Sequence, residues 1–173
     1  MVNCSNGLLD AAALESGTLQ LNRAYLDLAD CVSDVVESNR VLAKHKKQQL
    51  VFSTQEGCMA EVDGVRIKQA VDNLVSNAIK FSPLGESISV TLECKGDKAR
   101  IEVADRGPGL TEADQERLFR RFERLSARPT GGESSTGLGL ANARQLVELH
   151  GGTMGVESNN QESRFWITLP TQA

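Results

Sequence analysis

Asn73, Asn77 and Lys80 are spaced so that one side of a helix would carry all three. At about 100° per residue their directions fall within roughly 60° of one another. Ile67, Ala70, Val71, Leu74 and Ala78 fall on a different face, suited to burial. Three polar side chains therefore share one rim of an otherwise apolar helix. Taken alone, the octapeptide Asn73 to Lys80 is equally compatible with an ordinary solvated face. The next motif changes that balance. Asp105-Arg-Gly107-Pro-Gly109 follows Ala99 to Val103, an alternating run that reads as a strand. A carboxylate there can accept a hydrogen bond from an exocyclic amine, and glycines without a Cβ let the backbone lie close to a flat ring. A plain strand-to-helix turn would use the same residue types.

Leu118-Phe119-Arg-Arg-Phe122-Glu-Arg124 comes next, followed by a polar run from Ser126 to Thr136 with Pro129, Gly131 and Gly132. That composition favours a mobile loop. It ends in Thr136-Gly137-Leu138-Gly139-Leu140, which opens a helical pattern through Leu149. Glycines at a helix start leave N–H groups free for an anion, and the helix dipole favours negative charge there. Each motif alone is weak. Their order along the chain points to one nucleotide pocket.

These four segments resemble the N, G1, F and G2 boxes of the catalytic ATP-binding domain of sensor histidine kinases. That domain belongs to a wider superfamily with gyrase B, Hsp90 and MutL. The likeness covers about residues 48–170 and includes Leu146 to Gly152 and Arg164 to Pro170. It implies a two-layer α/β sandwich, a mixed and largely antiparallel sheet under helices, with the pocket between them. It also implies roles. Asp105 accepts the adenine amino group, and Gly107 and Gly109 let the chain pass beside the ring and ribose. Asn77 ligates Mg²⁺, Asn73 lies beside the phosphates and Lys80 contacts them. Gly137, Leu138 and Gly139 cradle the phosphates, and Arg124 reaches the γ-phosphate. Phe81 either packs near the adenine or belongs to the core. Ser135 stands where the G2 box often has its first glycine, a departure that bears on closure of the loop.

Relatives that hydrolyse ATP carry a glutamate four residues before the metal-binding asparagine. Here that position is Asn73, which cannot act as a general base. A neutral imidazole already has a lone pair and needs little such help. The resemblance therefore implies phosphoryl transfer from ATP to a histidine, by positioning and charge neutralisation. Neither histidine of this chain fits the acceptor: His45 lies in Lys44-His-Lys-Lys47 and reads as solvated, and His150 ends a helix. Leu8 to Gly17 resembles the last turns of a second dimerisation helix, so residues 1–17 are assigned to that element and 18–173 to the ATP-binding domain. The expectation is a kinase cut just after its histidine-bearing helices, monomeric as a fragment and dimeric as a parent. Its partners would be the parent's phosphotransfer domain and a response regulator. Two alternatives are a degenerate nucleotide-binding module acting by contacts alone, and an anti-sigma-type serine kinase.

Composition narrows the class further. At 173 residues, one domain with a short extension is expected. No apolar run reaches the length of a spanning helix and no signal peptide is visible, so a cytoplasmic fragment is expected, whatever anchors the parent. Cys4, Cys31, Cys58 and Cys94 lack metal-ligand or Cys-x-x-Cys spacing and read as reduced thiols. A net charge of −4 argues against general nucleic-acid binding. Lys44 to Lys47 reads as a solvated helix end, whereas Arg117, Arg120, Arg121, Arg124 and Arg128 flank the loop.

The elements that must position these residues follow from pattern. A strand is expected near Thr18 to Leu21, then a helix from about Asp27 to Lys47 with Leu28, Val32, Val35, Val36 and Leu42 inward. Strands are expected at Gln49 to Ser53 and Cys58 to Val62. The Asn-bearing helix should run from Gly64 to Phe81, stopped by Ser82-Pro83 because the residue before proline avoids helical angles. Ser87 to Cys94 and Lys98 to Ala104 should form one hairpin, and Thr153 to Ser158 with Ser163 to Leu169 another.

Overall fold

The structure is a computed structural model that describes residues 19–54, 57–106, 139–158 and 162–171. Within them the order is β1 (Ala24–Asp27), α1 (Leu28–His45), β2 (Gln49–Thr54), β3 (Met59–Val62), α2 (Gly64–Phe81), β4 (Ser87–Lys95), β5 (Lys98–Asp105), α3 (Gly139–Leu149), β6 (Thr153–Ser158) and β7 (Ser163–Pro170). The main sheet has the order β2-β4-β5-β7-β6. Only β2 and β4 pair in parallel; the other neighbours are antiparallel. The mixed, largely antiparallel sheet under helices is the two-layer sandwich expected from the sequence.

Strand alternation decides which residues face the helices. On β4, Ile88, Val90 and Leu92 are buried; on β5, Ala99, Ile101 and Val103; on β7, Phe165, Ile167 and Leu169. They form one core with Ile67, Val71, Leu74 and Ala78 of α2 and with Ala143, Leu146 and Val147 of α3. The opposite sheet face carries polar residues, and Arg100 stacks over the Trp166 ring, 5.0 Å from its centroid.

Four expectations are corrected. Thr18 lies outside the described residues and 19–21 form no strand; the first described strand is Ala24–Asp27, which pairs with β3 in a separate two-stranded ribbon. β1 has a single strand partner and no fully buried residue, so its sequence carries no strong alternation to announce it. Leu42 is 53% exposed, and the inward row of α1 instead continues through Asn39 and Ala43. Crossing helices share only a limited contact, so the buried face turns away from Leu42 along α1. Lys46 is buried, not solvated, for reasons given below. Finally, Cys58 and Cys94 are joined in a disulfide, with Cα atoms 5.8 Å apart. They are separated by 36 residues, so only the tertiary arrangement brings the start of β3 to the end of β4. Cys31 is free and buried, and burial pushes its thiol pKa up. Cys4 lies outside the described residues.

Candidate functional site

The site is built around α2. Asp63 caps its N-terminus by accepting the Arg66 N–H at 3.3 Å, and its other oxygen accepts the Asn22 N–H at 2.9 Å. The Asp63 N–H in turn donates to His150 Nε2 at 3.1 Å, which ties the start of α2 to the end of α3. His150 is buried, and burial holds its imidazole pKa below the usual range against the opposing hydrogen bond to Leu146 O. Asn39 Nδ2 donates to Asp72 Oδ1 at 2.7 Å and to Val35 O at 2.9 Å, fixing the roll of α2 against α1.

With that roll fixed, Ile67, Ala70, Val71, Leu74, Val75, Ala78 and Ile79 are buried. Asn73, Asn77, Lys80 and Phe81 are half-buried. The amides and the ammonium thus occupy the margin of the core, where a side chain is held by packing and can still meet a ligand. Asp105 continues the inward series Ala99, Ile101, Val103 of β5, so its carboxylate lies on the helix side of the sheet and is 4% exposed. α2 contacts β5 and packs against α3, whose first residue is Gly139. The fold therefore brings the elements carrying Asn73, Asn77, Lys80, Phe81, Asp105 and Gly139 together. Gly107, Gly109, Arg124, Gly137 and Leu138 lie outside the described residues, as do the polar loop and the segment from Leu8 to Gly17.

The C-terminus of α2 reveals residues that motif reading missed. Lys46 Nζ donates to Ile79 O at 2.7 Å and to Lys80 O at 3.1 Å. Gln48 Nε2 donates to Ile79 O and Ser82 O at 3.1 Å and to Pro83 O at 3.3 Å. A helix leaves its last four carbonyls without intrahelical donors. The N–H that would reach Ile79 O in a continued helix belongs to position 83, a proline, which has none. That missing donor was a signal for an external cap, although nothing local says which residues supply it.

The chemistry of the donor set fits a magnesium nucleotide. Asn73, Asn77 and Lys80 offer amide oxygens and one cation, while the neighbouring carboxylate of Asp72 is engaged by Asn39 of α1. Amide oxygens are acceptable Mg²⁺ ligands when phosphate and water complete the shell. Asp105 is a buried carboxylate of the kind that can accept a hydrogen bond from an amine.

Helices over one face of a mixed sheet, with polar groups collected between the layers, define an ATPase-type α/β sandwich. The chain belongs to the family described as histidine kinase-, DNA gyrase B-, and HSP90-like ATPase, whose model matches residues 62–173. It is 32% identical over 173 residues to hybrid signal transduction histidine kinase D of Dictyostelium discoideum, covering 95% of this chain and 11% of that protein. Circadian input-output histidine kinase CikA of Synechococcus elongatus is 33% identical over 171 residues, covering 96% and 23% respectively. Among solved structures, full-length ShkA in complex with AMPPNP superposes with a TM-score of 0.84 at 27% identity, over 97% of this chain and 35% of that one. The chain thus spans about a quarter or less of the curated relatives named here. No described helix is long and apolar enough to cross a membrane.

Proposed function

We propose that this chain is the ATP-binding catalytic domain of a sensor histidine kinase, handing the γ-phosphoryl group to a histidine on a separate dimerisation domain of its parent. The observation that carries this reading is the buried Asp105 at the inner end of β5, beside a helix whose half-buried rim is Asn73, Asn77 and Lys80. Asp105 accepts the adenine amino group; guanine presents a carbonyl there, which would leave the carboxylate facing a second acceptor. Lys80 holds phosphate as a point charge, Asn73 lies beside it, and Asn77 Oδ1 would ligate Mg²⁺. Bound Mg²⁺ supplies charge neutralisation at the phosphates. Gly107 and Gly109 line the base, Gly137, Leu138 and Gly139 cradle the phosphates, Phe81 flanks the nucleotide and Arg124 meets the γ-phosphate.

Asn73 has no basic lone pair with which to activate water, so the pocket favours an incoming nitrogen nucleophile. The attacking imidazole forms a P–N bond as the bond to the β,γ-bridging oxygen breaks, and ADP leaves. The acceptor is assigned to the parent's separate domain, because His150 is committed to Asp63 and Leu146, and His45 sits in Lys44-His-Lys-Lys47, without the acidic neighbour of the family's acceptor histidine. Leu8 to Gly17 is read as the end of the dimerisation helix. A response regulator then receives the phosphoryl group from that histidine.

Calorimetric titration with Mg²⁺ and a non-hydrolysable ATP analogue tests the reading. Saturable binding is expected, with no binding of the GTP analogue. Asp105→Ala should weaken it roughly ten- to hundredfold, from loss of a charge-assisted hydrogen bond of about 1.5–3 kcal/mol. Equal affinity for both nucleotides, or full binding by the folded variant, would refute the adenine pocket.

A further inference from the structure

We infer that Lys46 and Gln48, on the turn between α1 and β2, are positioning residues that set the phosphate contact of Lys80. This inference rests on the nucleotide-pocket reading above. Lys80 is the second-last residue of α2 before Ser82-Pro83, where a helix normally frays. Fraying is opposed here from outside. Ser82 N–H still donates to Ala78 O at 3.0 Å, but Pro83 cannot continue the ladder to Ile79 O. Lys46 Nζ and Gln48 Nε2 occupy that acceptor together, and Lys46 also takes Lys80 O. The backbone closes the same contact in reverse, since Gly85 N–H donates to Lys46 O at 3.0 Å and Gln49 N–H to Glu86 O at 3.2 Å.

Both clamp side chains are almost fully buried, Lys46 at 6% and Gln48 at 6% exposure. A buried ammonium is tolerated only where it is well paired, and helix-terminal carbonyls are such a partner because the dipole places negative charge there. The carbonyl of Lys80 itself is one of the two acceptors. Loss of the clamp would therefore free the backbone that carries the Lys80 side chain, while Asp105 on β5 stays in place. Phosphate contacts should suffer and base contacts should not.

Competition against a fluorescent ATP analogue separates the two, with ATP and adenosine as competitors for the full chain. Lys46→Met is expected to weaken ATP about tenfold and adenosine less than twofold, so the ATP-to-adenosine preference falls. Lys46→Arg, which keeps donors for both carbonyls, should restore most of that preference. In a Lys80→Ala background, Lys46→Met should change the preference no further. An equal loss of both ligands would mark Lys46 as merely structural and overturn the inference. So would an unchanged preference, or a full-sized effect in the Lys80→Ala background. If Lys46→Met does not fold, Gln48→Leu carries the same test, with a smaller loss of preference expected and an unchanged preference overturning the inference. A wild-type chain showing no preference for ATP over adenosine would instead overturn the pocket reading, and the role of Lys46 with it.

Discussion

His150 is held between two backbone groups of opposite kind, accepting the Asp63 N–H through Nε2 while Nδ1 faces Leu146 O at 2.7 Å. Only the neutral ring with its proton on Nδ1 satisfies both. Protonation of Nε2 would set N–H against N–H at the residue that caps α2. Burial is the main reason the imidazole titrates below its usual range, with the charge of Arg23 acting in the same direction. A depressed histidine pKa means the unfolded chain binds the proton more tightly than the folded one. Its contribution to stability is therefore fully present above the unfolded value of about 6.5, and is lost as pH falls toward the folded value. Urea titrations from pH 8 to 5 should show stability falling below about pH 6.5, with a slope from this group of at most about 1.4 kcal/mol per pH unit. His150→Gln keeps an acceptor and a donor but no titration, so its profile should be flatter across that window. Identical slopes for the two proteins would remove His150 as the source. At this scale the sequence was partly legible: a histidine at a helix end was readable, but its bond to Asp63 joins residues 87 apart.

Helix ends show what local sequence can and cannot disclose. α2 matches its expected bounds because a buried stripe, Asp63 and Ser82-Pro83 are all local signals. The end of α1 was harder. Gln48 N–H returns to Ala43 O at 2.9 Å, and Lys47 adopts φ 56°, the left-handed turn usually given to glycine. A side chain there costs about 1–2 kcal/mol. Lys47→Gly should raise stability by roughly 0.5–1 kcal/mol, since the freer unfolded glycine offsets part of the relief. A chemical denaturation midpoint that stays put or falls would contradict this. The end of α3 makes the same turn with the expected residue, Gly151 at φ 78°. Gly152 serves another purpose, because a Cβ there would lie 2.1 Å from Thr168 O of β7. Gly152→Ala should destabilise by about 1–3 kcal/mol, as overpacking against backbone does. A loss below about 0.5 kcal/mol by the same denaturation would show that β7 can retreat. The His-Gly-Gly motif, read from the sequence only as a likeness, thus has a structural explanation at both glycines, a left-handed turn at Gly151 and close packing at Gly152. Lys46 and Leu42 resisted reading because their burial is decided by α2 and by the sheet, not by α1's own pattern.

Across the whole molecule, the main sheet and the β1–β3 ribbon share no strand pairing, and a covalent link joins them instead. Cys58 precedes β3 and Cys94 lies near the hairpin end of β4, opposite Ala99. Asp105 is six residues beyond Ala99 on β5, which at about 3.3 Å per residue puts the candidate base contact roughly 20 Å from the disulfide. The bond and the pocket are therefore at opposite ends of the same strand pair. Closing a loop of 36 residues removes unfolded-state entropy equivalent to about 4 kcal/mol in the chain-entropy picture, of which measured cases commonly realise about 2–4 kcal/mol. For a chain of this size each kcal/mol moves the melting temperature by about 2–4 °C. Reduction should then lower Tm by roughly 4–16 °C, and Cys58→Ser should reproduce that shift without a reductant. Cys31 contributes no competing change, being buried with its thiol pKa pushed up by burial. Cys58 belongs to the same core as α2 and Cys94 packs against it, but the bond lies at the far end of the strand pair from Asp105, so nucleotide affinity of the reduced, folded chain should stay within about twofold of the oxidised one. Melting curves with and without reductant, paired with analogue titrations below both transitions, decide the matter. An unchanged Tm would mean that the link adds no stability, and a large loss of affinity would mean that the ribbon reaches the pocket after all.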